Sequence, residues 1–118
     1  MKRILVLSML LLGLANSAHA ACTVHRWTLR WGVETNAYMQ TDGSICRSTL
    51  TWTTGTSEVH SMSIAAAPRN GTASASRPTV TYRPRAGFKG EDTFVFAIVG
   101  RQAGQPVRAT VRVSVKVQ

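Results

Sequence analysis

The sequence contains few of the residues that carry enzyme chemistry. Of its 118 residues only 5 are Asp or Glu, 3 are His and 2 are Cys. Neither a Gly-x-Ser-x-Gly motif, which exposes a serine nucleophile, nor a glycine-rich phosphate loop occurs. Glu91 and Asp92 are adjacent, so on a strand they would point to opposite faces and could not act together as acid and base. The sequence therefore predicts no catalytic residues and no enzyme activity.

The histidines and cysteines are too scattered for a metal site. His25 and His60 share no metal-ligand spacing with each other or with a carboxylate, and a lone histidine on a strand is more often a surface residue than a ligand. Cys22 and Cys46 do not form a Cys-x-x-Cys motif. We therefore expect no metal ion and no cofactor.

Long hydrophobic runs are absent except at the N-terminus. There, two basic residues precede an apolar run at residues 4–14, and Ala18 and Ala20 are the small residues that a signal peptidase recognises. The run is shorter than the roughly 20 residues that cross a bilayer, so stable membrane insertion is not expected. The sequence predicts a cleaved signal peptide at residues 1–20, one domain at residues 21–118, and a periplasmic or secreted protein.

The two cysteines indicate one disulfide bond. An even number of cysteines in an exported protein is typical of disulfides, and Cys22 and Cys46 allow only one intramolecular pairing. The alternatives are a redox pair or a metal site, and both are disfavoured because there is no Cys-x-x-Cys spacing and no histidine cluster near either cysteine. A third alternative is lipidation of Cys22, which lies close to the expected cleavage site. It is disfavoured because a lipoprotein signal normally has Leu or a similar residue where this chain has His19.

Positive charge is in excess. Without residues 1–20 the chain has 12 Lys and Arg, ten of them Arg, against 5 Asp and Glu, which gives a net charge of +7. This balance favours anionic partners such as nucleic acid, lipopolysaccharide, acidic polysaccharide, anionic lipid or an acidic protein. A basic exported protein that is merely soluble would carry the same charge, so composition alone does not choose a partner.

Helical periodicity is missing as well, because no segment after residue 20 has apolar residues at i, i+3, i+4 and i+7 over three turns. The prevailing period is two. It is most regular at residues 107–117, where apolar residues occupy the odd positions and Arg108, Arg112 and Lys116 share the solvent face. Residues 93–99 are apolar on both faces, which is typical of a central strand or of one that faces a partner.

Turn signals separate about seven strands of this kind. Further strand-like segments lie at residues 23–31, 36–41, 44–53, 58–66 and 79–83. The dipeptides Asp42-Gly43 and Asn70-Gly71 are turn signals between them. Short strands with turns about ten residues apart predict an all-β protein with a single Greek-key β-sandwich of immunoglobulin type.

The most patterned segment joins two of these strands. Its characteristic residues are Tyr82, Pro84, Phe88, Gly90, Asp92 and Phe94. The glycine permits unusual backbone angles, the aromatic rings can close the end of a core, and the carboxylate can accept hydrogen bonds from turn amides. We interpret the segment as a structural corner between two sheets, not as a binding or catalytic loop.

The spacing Tyr-x-Pro-x-x-x-Phe-x-Gly-x-Asp-x-Phe resembles the signature of bacterial immunoglobulin-like and cadherin-like domains, and the resemblance extends over about residues 71–117. It implies a β-sandwich with a structural or adhesive role and without catalysis. Many cadherin-like relatives bind calcium through acidic clusters. The acidic residues of this chain are scattered except for Glu91-Asp92, so we expect no calcium site.

The first of two functional hypotheses is a non-catalytic module of the cell envelope. It would engage an unknown protein of the envelope or extracellular space through a sheet face or edge. The candidate contact residues are Trp27, Trp31, Trp52, Arg26 and Arg30, because Trp and Arg are enriched at binding hot spots. The alternative is that the tryptophans belong to the core.

The second hypothesis is an arginine-rich face that binds an anionic polymer, either lipopolysaccharide, an acidic polysaccharide or nucleic acid. Its candidates are the basic residues Arg26, Arg30, Arg83, Arg85, Lys89, Arg101, Arg108, Arg112 and Lys116. Of these, Arg108, Arg112 and Lys116 share one strand face, so a cluster there would need only one neighbouring basic strand. The alternative is a solvated face whose charges keep exposed strands from pairing. Salt separates the two hypotheses, because contacts with a polyanion release counterions and apolar contacts do not. We favour the first.

Overall fold

The computed structural model describes residues 21–50 and 57–118, so the expected signal peptide and Trp52 lie outside the described residues. No helix occurs in this part of the chain, and the all-β prediction is confirmed. The eight strands are β1 (Cys22–Val24), β2 (Glu34–Thr41), β3 (Cys46–Thr49), β4 (Ser57–Ala66), β5 (Gly71–Ser76), β6 (Thr79–Pro84), β7 (Gly90–Gln102) and β8 (Gln105–Val117).

The strands form two sheets. The larger sheet has the order β1-β2-β8-β7-β4, and the smaller has the order β3-β6-β5. Neighbouring strands are antiparallel, except that β2 and β8 run parallel over eight residue pairs. Two sheets that enclose a common core make a β-sandwich, as the spacing of strands and turns predicts.

The core lies between the sheets and follows from alternation along the strands. Phe94, Phe96 and Ile98 point inward from β7, and the apolar residues of β8, among them Val111 and Val113, are buried beside them. The alternation predicted for residues 107–117 is confirmed. Residues 93–99 lie on β7, which has a strand neighbour on each side, as the prediction of a central strand requires. Burying one such side chain contributes roughly 1.5–3 kcal/mol, and β7 and β8 are the longest strands at 13 residues each. This central pair therefore contributes a large part of the buried apolar surface.

The prediction of a strand at residues 23–31 is only partly right. Strand β1 ends at Val24, and the segment continues as chain outside any ladder, held at its start by a hydrogen bond of 3.0 Å from the His25 amide to the Tyr38 carbonyl. Alternating polarity indicates which side chains are buried. An extended segment can bury every second side chain against the core without forming hydrogen bonds to a neighbouring strand. The sequence pattern therefore identifies the half-buried side at Trp27, Leu29 and Trp31, whereas His25 is exposed, and it does not identify the pairing.

The turn signal Asp42-Gly43 does not form a hairpin. It joins β2 to β3, which belong to different sheets, and Gly43 has a φ of 110°. A true two-residue hairpin joins β7 to β8 instead. There, Ala103 and Gly104 have φ values of 49° and 79°, which suits the type I′ turns that match the twist of antiparallel strands.

A disulfide bond connects the two sheets. Cys22 begins β1 at the edge of the larger sheet, and Cys46 begins β3 at the edge of the smaller one. Their Cα atoms are 5.2 Å apart and their sequence separation is 24, so the closed loop contains the whole of β2. The predicted pairing is confirmed.

Candidate functional site

The patterned segment forms the corner between the two sheets. Tyr82 and Pro84 end β6, and Gly90 begins β7. The rings of Tyr82 and Phe94 stack in the core, with centroids 5.7 Å apart and planes inclined by 7°. Phe88 is half-buried, and its ring lies against Gly90, whose φ is 134°. These residues cover one end of the core and offer no arrangement of reactive groups.

Asp92 is the hydrogen-bonding centre of the corner. Its Oδ1 accepts from the amides of Arg69 and Thr93 at 3.0 and 2.9 Å. Its Oδ2 accepts from the Asn70 amide at 3.0 Å and from the Tyr82 hydroxyl at 2.8 Å. Burial, and then the hydrogen bond to Asp92, raise the pKa of Tyr82 above its ordinary value. Four donors replace the water that a buried carboxylate loses, so the role of Asp92 is structural.

Two of the tryptophans pack against the core. Trp27 meets Phe96 edge-on, with ring centroids 5.9 Å apart and planes inclined by 73°. Trp31 lies over Gly100 so closely that a Cβ there would be 3.0 Å from the indole. Both indoles are half-buried. Trp52 lies outside the described residues.

Arg26 and Arg30 alternate with these tryptophans and are exposed. The arginines reach solvent, while much of the area of the neighbouring indoles is taken up by the core. The structure therefore does not assemble Trp27, Trp31 and the two arginines into one fully exposed patch.

The solvent-facing side of the five-stranded sheet, which we call the large-sheet face, presents apolar side chains instead. Tyr38 on β2 is 55 % exposed, and Val99 on β7 is 39 % exposed. In the strand register Tyr38 lies beside Ser114, and Val99 lies beside Arg108. An exposed aromatic residue on a regular sheet is a candidate contact residue.

The large-sheet face carries charges of both signs. Arg108, Arg112 and Lys116 share this face of β8, as predicted. The Nε of Arg112 donates to Glu34 at 3.2 Å, and Lys116 lies opposite Glu91 in the register of β7 and β8. Two of the three cations therefore have a carboxylate neighbour, and the face is not uniformly positive.

A shallow depression of about 620 Å³ opens at one end of the large-sheet face. Its lining combines a histidine, a tyrosine and charged residues, including His25, Tyr38, Gln40, Glu91 and Lys116. The rings of His25 and Tyr38 meet edge-on with centroids 6.4 Å apart. The depression can receive a side chain of a partner, with hydrogen-bonding groups around it.

In residues 21–50 and 57–118, no three or more His, Cys, Asp or Glu side chains come together in a group that could hold a metal ion. The same part of the chain has no helix long and apolar enough to span a membrane.

Two antiparallel-rich sheets around one core, with the first long strand parallel to the last, define an immunoglobulin-like sandwich. The family model described as bacterial Ig domain matches residues 30–115, and the chain therefore belongs to that family. Searches among curated proteins and among solved structures find no match.

Membership in this family confirms the resemblance seen in the sequence and extends it toward the N-terminus, since the match begins well before residue 71. Bacterial Ig domains are generally non-catalytic modules for binding or structure. A bacterial Ig domain with a disulfide between Cys22 and Cys46 fits an extracytoplasmic protein.

Proposed function

We propose that the protein is an exported, non-catalytic module of the bacterial cell envelope that binds a protein partner through the large-sheet face. The observation that carries this function is the exposure of Tyr38 and Val99 on a regular sheet surface. Tyrosine supplies a large contact area with little loss of conformational freedom, and its hydroxyl can bond to a partner. The signal-peptide pattern at residues 1–20 supports export.

Mixed charge favours a protein over a polyanion at this face. Glu34 and Glu91 lie on it and would repel a chain of phosphates or carboxylates. A protein can match both signs, and such complementarity fixes the orientation of a complex. Arg112, already held by Glu34, is well placed for a directed contact at the centre of the face.

Site-specific photo-cross-linking in the producing bacterium tests this function. Benzoylphenylalanine in place of Tyr38 or Val99 is expected to give a discrete adduct with one protein. Ser74, which is exposed on the smaller sheet, is the control position and should give no adduct with a protein. With the cross-linker at Val99, the added change Tyr38→Ser should strongly reduce the adduct, because it removes the aromatic anchor.

Two results would contradict the function. A protein adduct formed from Ser74 and not from Tyr38 or Val99 would place the protein contact on the other sheet. An adduct at Val99 that survives Tyr38→Ser undiminished would show that the tyrosine does not anchor the partner.

A further inference from the structure

The solvent-facing side of the three-stranded sheet carries only hydroxyl and guanidinium side chains. Successive side chains of β3, β5 and β6 point alternately toward the core and toward solvent. We call this outer side the hydroxyl–arginine face. Its residues are Arg47, Thr49, Thr72, Ser74, Ser76, Thr79, Thr81 and Arg83.

The strand register arranges these side chains in rows across the sheet. Adjacent strands are about 4.8 Å apart, and successive rows on one face are about 7 Å apart. The hydroxyl oxygens of Thr49 and Thr79, which are neighbours in one row, lie 3.1 Å apart, within hydrogen-bonding distance. The rows are Arg83–Thr72, Arg47–Thr81–Ser74 and Thr49–Thr79–Ser76.

Positive charge on this face has no carboxylate beside it. Strands β3, β5 and β6 contain no Asp or Glu, and among the described residues neither Arg47 nor Arg83 forms an ion pair. Two further exposed arginines, Arg69 and Arg85, flank the corner end of the face, where the Arg85 amide donates to the Asn70 carbonyl at 2.8 Å. The large-sheet face, where Glu residues accompany the cations, has a different charge distribution. The hydroxyl–arginine face is therefore the one that attracts polyanions.

We propose that the hydroxyl–arginine face binds an acidic polysaccharide. Hydroxyl side chains both donate and accept hydrogen bonds, as sugar hydroxyls do. The guanidinium groups of Arg47 and Arg83 can each bind a sugar carboxylate through two parallel hydrogen bonds. Both kinds of group lie on one sheet face, with an arginine in two of its three rows, which matches a polymer whose units carry both hydroxyls and carboxylates.

The composition of the face disfavours the other polyanions. Among the residues that the structure describes, it has no aromatic side chain on which a base could stack, and stacking contributes much of the binding of single-stranded nucleic acids. The same described residues give it no apolar anchor of the kind that carries protein interfaces. The face also lies on the opposite side of the sandwich from Tyr38 and Val99, so it is independent of the proposed protein contact.

Binding of defined polymers to the purified domain tests the proposal. The probes are alginate, a polysaccharide with carboxylates; dextran, a neutral polysaccharide; polyglutamate, which has carboxylates and no sugar hydroxyls; and oligo(dT). Alginate is expected to bind at low salt and to weaken as salt rises. The other three are expected to bind at least about tenfold more weakly. Equal affinity for polyglutamate or oligo(dT), or no binding of alginate, would overturn the proposal.

Matched variants locate the site. Arg47→Gln with Arg83→Gln should weaken alginate binding by about tenfold or more, because charge-assisted hydrogen bonds are lost. Arg101→Gln with Arg108→Gln removes the same charge from the larger sheet and should change affinity by no more than about twofold. Thr81→Val keeps the shape of the side chain and should weaken binding without changing its salt dependence. An equal loss in both arginine pairs, or no loss in Thr81→Val, would contradict the assignment.

Discussion

Asp92 receives four hydrogen bonds from three parts of the chain. Two come from the connection before β5, one from its own strand β7, and one from Tyr82 on β6. Removing one donor leaves the carboxylate with three and does not abolish the arrangement. The Tyr82 hydroxyl is the only side-chain donor among the four, and it can be deleted without altering the backbone.

Tyr82→Phe is expected to lower the free energy of unfolding by about 1.5–3 kcal/mol at neutral pH, the usual range for a hydrogen bond to a charged group. Urea denaturation measures it. Phe conserves the stack on Phe94, so the folded structure should be retained. A difference below about 0.5 kcal/mol would mean that the hydroxyl bond adds little to stability.

Because the Tyr82 hydroxyl can ionise, we expect its contribution to the free energy of unfolding to depend on pH in the alkaline range. In the unfolded chain a tyrosine ionises near pH 10, and the raised pKa of Tyr82 keeps it neutral in the folded protein to higher pH. The contribution of Tyr82 is therefore fully present below about pH 10 and is lost above it, by at most about 1.4 kcal/mol per pH unit.

The difference in unfolding free energy between wild type and Tyr82→Phe should accordingly shrink as pH rises from about 10 to 11. Comparing the two proteins cancels the ionisation of lysines, which both share. A difference that stays constant over this interval would show that the folded and unfolded states ionise alike at this residue.

At the scale of strands, the β4–β7 pair depends on the absence of a side chain at one position. A Cβ on Gly100 would overlap the carbonyl oxygen of Glu58 on β4 and would press on Trp31. Backbone atoms cannot move aside as flexible side chains do. The glycine is thus required by the close approach of β4 and the indole to β7.

Gly100→Ala is expected to destabilise the protein by about 1–3 kcal/mol, as overpacking does, and to speed amide hydrogen exchange in β4. Gly104→Ala is the control, because a Cβ there meets nothing within 4 Å. The Gly104→Ala variant should be destabilised only by the strain of an alanine at a positive φ, and its amide exchange in β4 should be unchanged. Equal exchange rates in the two variants would contradict the packing argument.

The strands that the sequence predicts best are those whose pattern is long. β7 and β8 have 13 residues each, so the alternation of Phe94, Phe96 and Ile98 with outward residues is repeated enough to define the buried side. Strand β1 has 3 residues, and the alternation that predicts a strand at residues 23–31 continues past its end, where the chain is outside any ladder. The parallel partner of β2 is β8, far along the chain, and alternation carries no information about which strand will pair.

The candidate contact residues were harder to predict for the same reason. Trp27 and Trp31 are hot-spot residue types, but their burial depends on Phe96 and Gly100, which are distant in sequence. Tyr38 was missed although its neighbours in β2 alternate, since exposure of an aromatic ring is visible only once the sheet is assembled. The local sequence predicts which face of a strand a side chain occupies, whereas the tertiary structure determines whether other residues cover that face.

The whole molecule presents different chemistry on its two sides. The large-sheet face has exposed apolar side chains and charges of both signs, whereas the hydroxyl–arginine face is polar and positive. A single-core sandwich keeps the two faces at a fixed distance, because both sheets share the same buried residues. If both proposed contacts are made, one domain holds two unlike partners at once.

The disulfide connects the two sheets, and its contribution to the free energy of unfolding can be measured. Replacing both Cys22 and Cys46 by Ala should lower the free energy of unfolding by about 3 kcal/mol, since the cross-link restricts the unfolded chain. Urea denaturation under oxidising conditions measures the loss. Reductant should destabilise the wild type by a similar amount and leave the double variant unchanged. Equal stability of the oxidised wild type and the double variant would show that closing this loop does not stabilise the domain.

The closed covalent loop between Cys22 and Cys46 also determines how the domain responds to mechanical tension. A pull along the chain passes through the disulfide directly from Cys22 to Cys46, and β2 lies outside that path. The parallel hydrogen bonds between β2 and β8, which would otherwise be sheared together, are not strained directly. When the rest of the chain is fully extended, the residues inside the disulfide loop stay unextended, and about 80 Å of chain length is not released. In the oxidised state this domain is a shorter tether than in the reduced state, and the redox state of its surroundings sets how far it can stretch.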